Sequence, residues 1–251
     1  MRIRPGLELA NLTDTGCHRA ENEDYYCYAE PESDLDFKRK GRLAVVADGM
    51  GGHEGGKVAS TIAVETVRDG YLADPSDDPD QALRAAFQNA HAAILEYSRQ
   101  HPELQCMGTT CTAVTLIDGR LRYGHVGDSR LYLMRGLSIS RLTQDNSQVG
   151  RLVQEGLITP EEAAVHPQRN VLTEAMGVEP ASGDFSETPL PLESGDILLI
   201  CSDGLHGLVT DQEMLATAAI QTPAEACKEL VRMAKERGGF DNITLQILKI
   251  M

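Results

Sequence analysis

Leu43-Ala44-Val45-Val46-Ala47-Asp48-Gly49-Met50-Gly51-Gly52 runs an apolar strand directly into an acidic, glycine-rich turn, and a helical pattern follows from about Gly56. The pairing of an apolar run with an acid recurs. Ile197 to Cys201 leads into Ser202-Asp203-Gly204, Phe240-Asp241-Asn242 precedes the run Ile243 to Ile250, and Asn22-Glu23-Asp24 precedes Tyr25 to Tyr28. If these runs are strands of packed sheets, the fold can bring all four carboxylate turns to one end. Two unit charges about 4 Å apart repel by roughly 4 kcal/mol at an effective dielectric near 20, so such a cluster needs cations. Carboxylates beside glycine carbonyls are hard oxygen donors, and the pattern points to an oxygen-ligand metal site.

Outward from these turns, strand signals also fall at Leu7 to Ala10, Thr110 to Ile117, Leu121 to Val126 and Arg130 to Met134, several joined by short hairpin-like turns such as Ile117-Asp118-Gly119-Arg120. One helix is predicted from Gly56 to Leu72, with Ala59, Ile62, Ala63, Thr66 and Val67 on its apolar face. A second starts at Asp78-Pro79-Asp80-Gln81 and buries Ala82, Ala86, Ala90, Ala93, Ile94 and Tyr97. Thr222-Pro223-Ala224-Glu225 is a capping box opening a late helix, with a shorter helix over Thr210 to Ile220. Gln148 to Gly156 and Thr159 to Val165 read as small helices in an otherwise irregular insertion. Strand runs enclosing paired helices give an α+β fold, two packed antiparallel sheets with helices outside.

At 251 residues and 41% hydrophobic the chain can bury a good core, and no linker divides it. The net charge of −15 repels polyanions, which argues against non-specific nucleic-acid or anionic-membrane binding, although bound dications can invert the field inside an acidic cleft. Met1-Arg2-Ile3-Arg4-Pro5 begins no signal-like apolar stretch and no segment approaches a membrane span, so a soluble, cytoplasmic protein is expected. The six cysteines form no CxxC pair and none has the arginine six residues on that a cysteine-dependent phosphatase needs; reduced thiols are expected.

The chain resembles the metal-dependent protein phosphatases of the PPM family, type 2C. The resemblance is carried in order by Arg19-Ala20-Glu21-Asn22-Glu23-Asp24, Ala47-Asp48-Gly49-Met50-Gly51-Gly52-His53, Gly108-Thr109-Thr110, Val126-Gly127-Asp128-Ser129-Arg130, His166 to Thr173, Cys201-Ser202-Asp203-Gly204-Leu205 and Gly239 to Thr244. Asp-Gly-Met-Gly-Gly-His is similar to the bacterial branch. The resemblance implies one phosphatase domain over 1–251, a four-layer sandwich of two antiparallel sheets flanked by pairs of helices, with a flap insertion at about 143–177. It implies two Mn²⁺ or Mg²⁺ ions and a weaker third. Asp48, Asp203 and Asp241 would be direct ligands, with Asp48 bridging and the Gly49 carbonyl on the second ion. Glu23 and Asp24 would act through waters. Asp128 would serve the third ion, whose affinity Gly207 weakens because many relatives carry an acid there. Phosphoserine and phosphothreonine proteins, the targets of a Ser/Thr kinase, would be hydrolysed by direct attack of a metal-bridging hydroxide. Arg19 would hold the phosphoryl oxygens, and the protein is expected to act as a monomer.

Met50 stands where some relatives carry a proton-donating His, leaving His53 or a water as acid. Ser147 and Thr159-Pro160-Glu161-Glu162 fit the flap, whereas Glu174 replaces a frequent Arg. A P-loop reading of Gly51 to Val58 fails at Val58, which lacks the required hydroxyl. Asp34-Leu35-Asp36-Phe37-Lys38 has the spacing of an aspartyl nucleophile pair but reads as a charged surface loop. A phosphoprotein-binding pseudophosphatase is disfavoured because Asp48, Asp203 and Asp241 are all present. Hydrolysis of small phosphate esters stays open, since the ligands meet only the phosphoryl group.

Overall fold

Every strand that ends in one of the acidic turns is held by antiparallel partners that begin or end at the same level. The computed structural model describes residues 3–51, 54–179 and 181–251. Strands β1 (Leu7–Asp14) and β2 (Tyr25–Ala29) lead through helix α1 (Asp34–Lys40) to β3 (Arg42–Ala47) and β4 (Gly49–Met50). Helices α2 (Gly55–Ala73) and α3 (Pro79–Gln100) precede β5 (Gly108–Thr109), β6 (Cys111–Ile117), β7 (Arg120–Val126), β8 (Arg130–Arg135) and β9 (Ser138–Arg141). The insertion carries α4 (Gln148–Gln154) and α5 (Pro160–Ala164), and is followed by β10 (Asp184–Phe185), β11 (Leu190–Pro191) and β12 (Ile197–Cys201). Helices α6 (Asp203–His206), α7 (Asp211–Ile220) and α8 (Pro223–Glu236) come before β13 (Ile243–Ile250).

One sheet has the order β1-β13-β12-β8-β9, the other β10-β7-β6-β3-β2, with β11 also pairing β7; β4 and β5 form a small ribbon. The two-residue period of the strands sorts their side chains between layers. On β3, Leu43, Val45 and Ala47 pack against α2 and α3, whereas Ala44 and Val46 face the other sheet. On β12, Ile197, Leu199 and Cys201 face the α7 and α8 side, and Leu198 and Ile200 face inward. Continuous apolar runs are therefore required, because each central strand is buried on both faces. The result is the expected α+β sandwich of helices, sheet, sheet and helices.

The helix boundaries follow their caps. Asp78 accepts from Asp80 and Gln81 N–H at the start of α3, and Thr210 and Thr222 complete capping boxes on α7 and α8. The apolar stripes differ in part from those expected. Val64 and Tyr71 on α2, and Leu83 and Phe87 on α3, are buried, while Ile62, Thr66, Ala93 and Tyr97 are only partly covered. The segment Asp34 to Lys38, expected as a loop, is part of α1. Ser33 accepts from Asp36 N–H, acids occupy the first turn and Lys38, Arg39 and Lys40 the last, so capping and the helix dipole stabilise a helix that lacks an apolar periodicity.

Candidate functional site

Strand register gathers the acidic turns. Tyr25 pairs with Ala47, which sets Glu23 and Asp24 beside Asp48. Cys201 pairs with both Leu245 and Arg130, which brings Asp203, Asp241 and Asp128 to the same end. Arg19, Glu23, Asp48, Gly49, Asp128, Asp203 and Asp241 all line one cleft of about 230 Å³, together with Met50, Gly51, Thr110, Asn170 and Leu172. A hollow of about 250 Å³ at Gly6, Phe37, Arg42 and Leu192 holds a single acid, Asp118, so the clustered carboxylates lie in the first cleft.

Asp24 does not line the cleft. It lies behind the floor, 6% exposed, where Ser202 Oγ donates to its Oδ2 at 2.8 Å. Burial first, and then the charges of Asp203 and Asp241, push its pKa up to about 7. Burial and the surrounding acids likewise raise Asp48 well above the usual carboxylate range, Asp203 to about 6 and Asp128 to about 8. Glu23 is raised by burial, against the lowering effect of Arg19.

Among the described residues, no three His, Cys, Asp or Glu side chains are already drawn into a closed metal-ligand group. Arg19 Nη2 holds Asp241 Oδ2 at 2.7 Å, which engages one of the expected ligands. The donor chemistry nevertheless fits hard dications. Glu23 Oε1, Asp24 Oδ1 and Asp203 Oδ1 are buried without a hydrogen-bond partner, and buried carboxylate oxygens left so are costly unless a cation or water meets them. Close backbone approach supports the same surface. A Cβ on Gly49 would come within 2.1 Å of the Gly56 carbonyl, and one on Gly56 within 2.7 Å of Glu23 Oε1, so neither position admits a side chain without displacement.

Residues with no expected role hold the acids in place. The Thr110 N–H donates to the Asp48 carbonyl at 2.9 Å, and Asp48 N–H donates back to Thr110 Oγ1 at 2.9 Å. Thr109 Oγ1 also donates to the Asp48 carbonyl. Asn242 Oδ1 accepts from Glu23 N–H at 2.8 Å, while its Nδ2 donates to the Thr15 and Glu21 carbonyls. This amide staples the N-terminal loop to the start of β13. The turn at Asp128 is clamped twice: Asn146 exchanges hydrogen bonds with Gly127, and His206 Nε2 donates to the Asp128 carbonyl at 2.9 Å. Burial, followed by Arg130, lowers His206 to about 3, so its imidazole is neutral. The only sequence signal for these residues was their place inside polar motifs, because their partners lie far away in the chain.

The insertion reaches the cleft through Asn170 and Leu172. Ser147 caps α4, as expected, by accepting from Gly150 N–H, and Thr159 and Glu162 form a capping box on α5. Glu174 does not line the cleft; it accepts from Ser182 N–H at 3.0 Å. His53 lies outside the described residues, and Met50 at the cleft wall has no proton to donate.

A family model described as Protein phosphatase 2C matches residues 30–238. The chain is 36% identical over 252 residues to the protein phosphatase PhpP of Streptococcus pneumoniae, an alignment that covers 97% of this chain and 98% of that protein. It superposes on the crystal structure of the serine/threonine phosphatase PstP/Ppp of Mycobacterium tuberculosis with a TM-score of 0.86 at 36% identity, covering 98% of this chain and 99% of the other. A structure of the catalytic domain of PstP in complex with two manganese ions superposes with a TM-score of 0.84 at 34% identity, over 98% of this chain and 99% of that one.

Proposed function

The chain belongs to the protein phosphatase 2C family, and from that premise we propose how its cleft removes phosphate from phosphorylated serine and threonine side chains. The protein is a metal-dependent serine/threonine protein phosphatase. The observation that carries the reading of its site is the set of partly buried aspartates at one sheet end, with unpartnered carboxylate oxygens at a cleft whose mouth holds a half-exposed arginine.

Asp48, Asp203 and Asp241 are the residues that would hold the first ion, with Asp48 shared with a second that also takes the Gly49 carbonyl. Glu23 and Asp24 would act through intervening waters, and Asp128 would serve a weaker third ion. When bound there, Mn²⁺ or Mg²⁺ would offset the charge of the aspartates and would make water a competent nucleophile near neutral pH. Arg19 presents a planar fork at the mouth and binds two phosphoryl oxygens, which fixes phosphorus in line and offsets charge in the transition state. Its ion pair with Asp241 at 2.7 Å holds the guanidinium against the cleft lining, which supports this role. Thr109 and Thr110 keep the Asp48 backbone fixed, and Asn242 does the same for Glu23, so the carboxylates need little reorganisation when ions bind. Leu172 and Asn170 at the cleft wall limit water and contact the residues flanking the phosphate.

Residues 1–251 act as one domain in this reading, with 143–177 as its flap, and the protein works as a cytoplasmic monomer on targets of a Ser/Thr kinase. Among the described residues no helix is long and apolar enough to cross a membrane. The test is hydrolysis of a phosphothreonine peptide by the purified chain with Mn²⁺ or Mg²⁺ and with excess EDTA. Turnover with metal and none with chelator is expected; full turnover in EDTA would overturn the metal reading.

A further inference from the structure

We propose that the stacked pair His18 and Phe240 is a platform for an apolar side chain flanking the phosphorylated residue of the substrate, an inference that rests on the phosphatase reading above. The two rings lie 5.3 Å apart at their centroids with planes 28° from parallel. Phe240 is 61% exposed at the turn before β13. Unlike a singly exposed apolar residue, this ring stands stacked on a second one, and the two together offer one aromatic face.

Position selects the occupant. His18 immediately precedes Arg19 and Phe240 immediately precedes Asp241, and Arg19 and Asp241 meet at 2.7 Å on the cleft lining. Consecutive Cα atoms are about 3.8 Å apart, so a peptide whose phosphoryl group sits at Arg19 carries its next one or two side chains across this pair. Each ring is the chain neighbour of a residue that lines the cleft, which favours the substrate's own flank over a separate partner.

The platform is also built in advance. Cys17 N–H donates to the Gly239 carbonyl at 2.8 Å, which ties the loop carrying His18 to the loop carrying Phe240. Gly238 has φ +122°, and a Cβ there would come within 2.4 Å of the Phe240 ring, so the ring rests on bare backbone. A side chain landing on two rings already stacked loses little of its binding energy to ordering the protein. Covering about 50 Å² of apolar surface corresponds to roughly a five- to tenfold gain in kcat/KM.

The experiment compares phosphothreonine peptides that differ only in the flanking residues, leucine, serine or arginine, with Mn²⁺ present, for wild type, Phe240→Ala and Phe240→Leu. The expected result is a leucine-to-serine ratio of kcat/KM near five to ten in wild type, a ratio near one in Phe240→Ala, and recovery of most of the preference in Phe240→Leu. Because the readout is a ratio, a general loss of active protein does not alter it. Equal turnover of all peptides by wild type, a preference for arginine over leucine, or an unchanged ratio in Phe240→Ala overturns the platform and leaves the phosphatase reading intact. Failure to hydrolyse any peptide overturns both. Sedimentation of the same proteins adds one more refuting outcome: a wild-type dimer lost in Phe240→Ala, with unchanged ratios, assigns the pair to a second copy of this chain.

Discussion

Replacing Asp48 by asparagine should make the metal-free protein more stable while removing turnover. Asp48 is partly buried in the cleft lining, and burial together with Asp24, Asp203, Asp128 and Asp241 disfavours its charged form. A carboxyl whose pKa is higher folded than unfolded weakens the fold as pH rises above its unfolded value. The neighbours give the scale: raising Asp203 from its ordinary 3.8 to about 6 corresponds to about 3 kcal/mol of destabilisation at neutral pH. Asparagine keeps the shape and removes one charge from this cluster. A gain of about 1–3 kcal/mol, or about 3–10 °C in Tm, is the expected result in EDTA at pH 7–8. The gain should shrink as pH falls towards 4, where the acids of the wild type take up protons in both states. Thermal unfolding in EDTA across pH 4–9 measures it, and repetition with Mn²⁺ should raise the wild-type Tm more than that of the variant. A variant less stable than wild type in EDTA at pH 7–8, or an equal Mn²⁺ response in both, would refute the idea that these acids repel one another until cations bind.

Arg19→Ala should lower kcat/KM on phosphothreonine peptides by about 10- to 150-fold, the loss of roughly 1.5–3 kcal/mol of charged hydrogen bonding. Arg19→Lys should restore only part of this, since a point charge cannot grip two oxygens at once; equal activity of wild type and Arg19→Ala in steady-state assays would exclude the assigned role. Thr110→Val keeps the volume but leaves Asp48 N–H without its acceptor, and about 1–3 kcal/mol should be lost in urea unfolding together with weaker Mn²⁺ binding by calorimetry. Asp145 behaves oppositely to the cleft acids. Burial raises its pKa, but the bidentate partner Arg130, at 2.9 and 2.6 Å, outweighs this and brings it to about 2. The fall from 3.8 corresponds to about 2.5 kcal/mol of stability, present above pH 4 and lost as pH drops towards 2. Asp145→Asn should abolish that acid-side slope in pH-dependent unfolding.

The central strands β3, β12 and β13 were readable because burial on both faces demands uninterrupted apolar runs, α8 because Thr222 begins a capping box, and α7 from its helical pattern, to which the structure adds a capping box at Thr210. Helix α1 was missed because its stability comes from Ser33 and from charge at its ends, not from an apolar stripe. In α2 and α3 the stripe was placed slightly wrong. Val64 and Tyr71 flank Val67, and Leu83 and Phe87 flank Ala86 and Ala90, at the spacing of one helix face, so the buried stripe is centred on that side of each helix.

Sequence alone determined which groups could do the chemistry: acids at strand ends, glycines that bare the backbone beside them, and Arg19 near the first acidic turn. Those are local facts, fixed by residue type and spacing. Only tertiary structure decided which acid stands where. It set Asp24 behind the floor against Ser202, left Glu174 facing Ser182, and gave Thr110, Asn146, His206 and Asn242 their work. Apart from the Glu174 contact, which spans eight residues, those contacts join segments at least 19 positions apart in the chain, and their partners follow from strand register and layer packing, which no local pattern encodes.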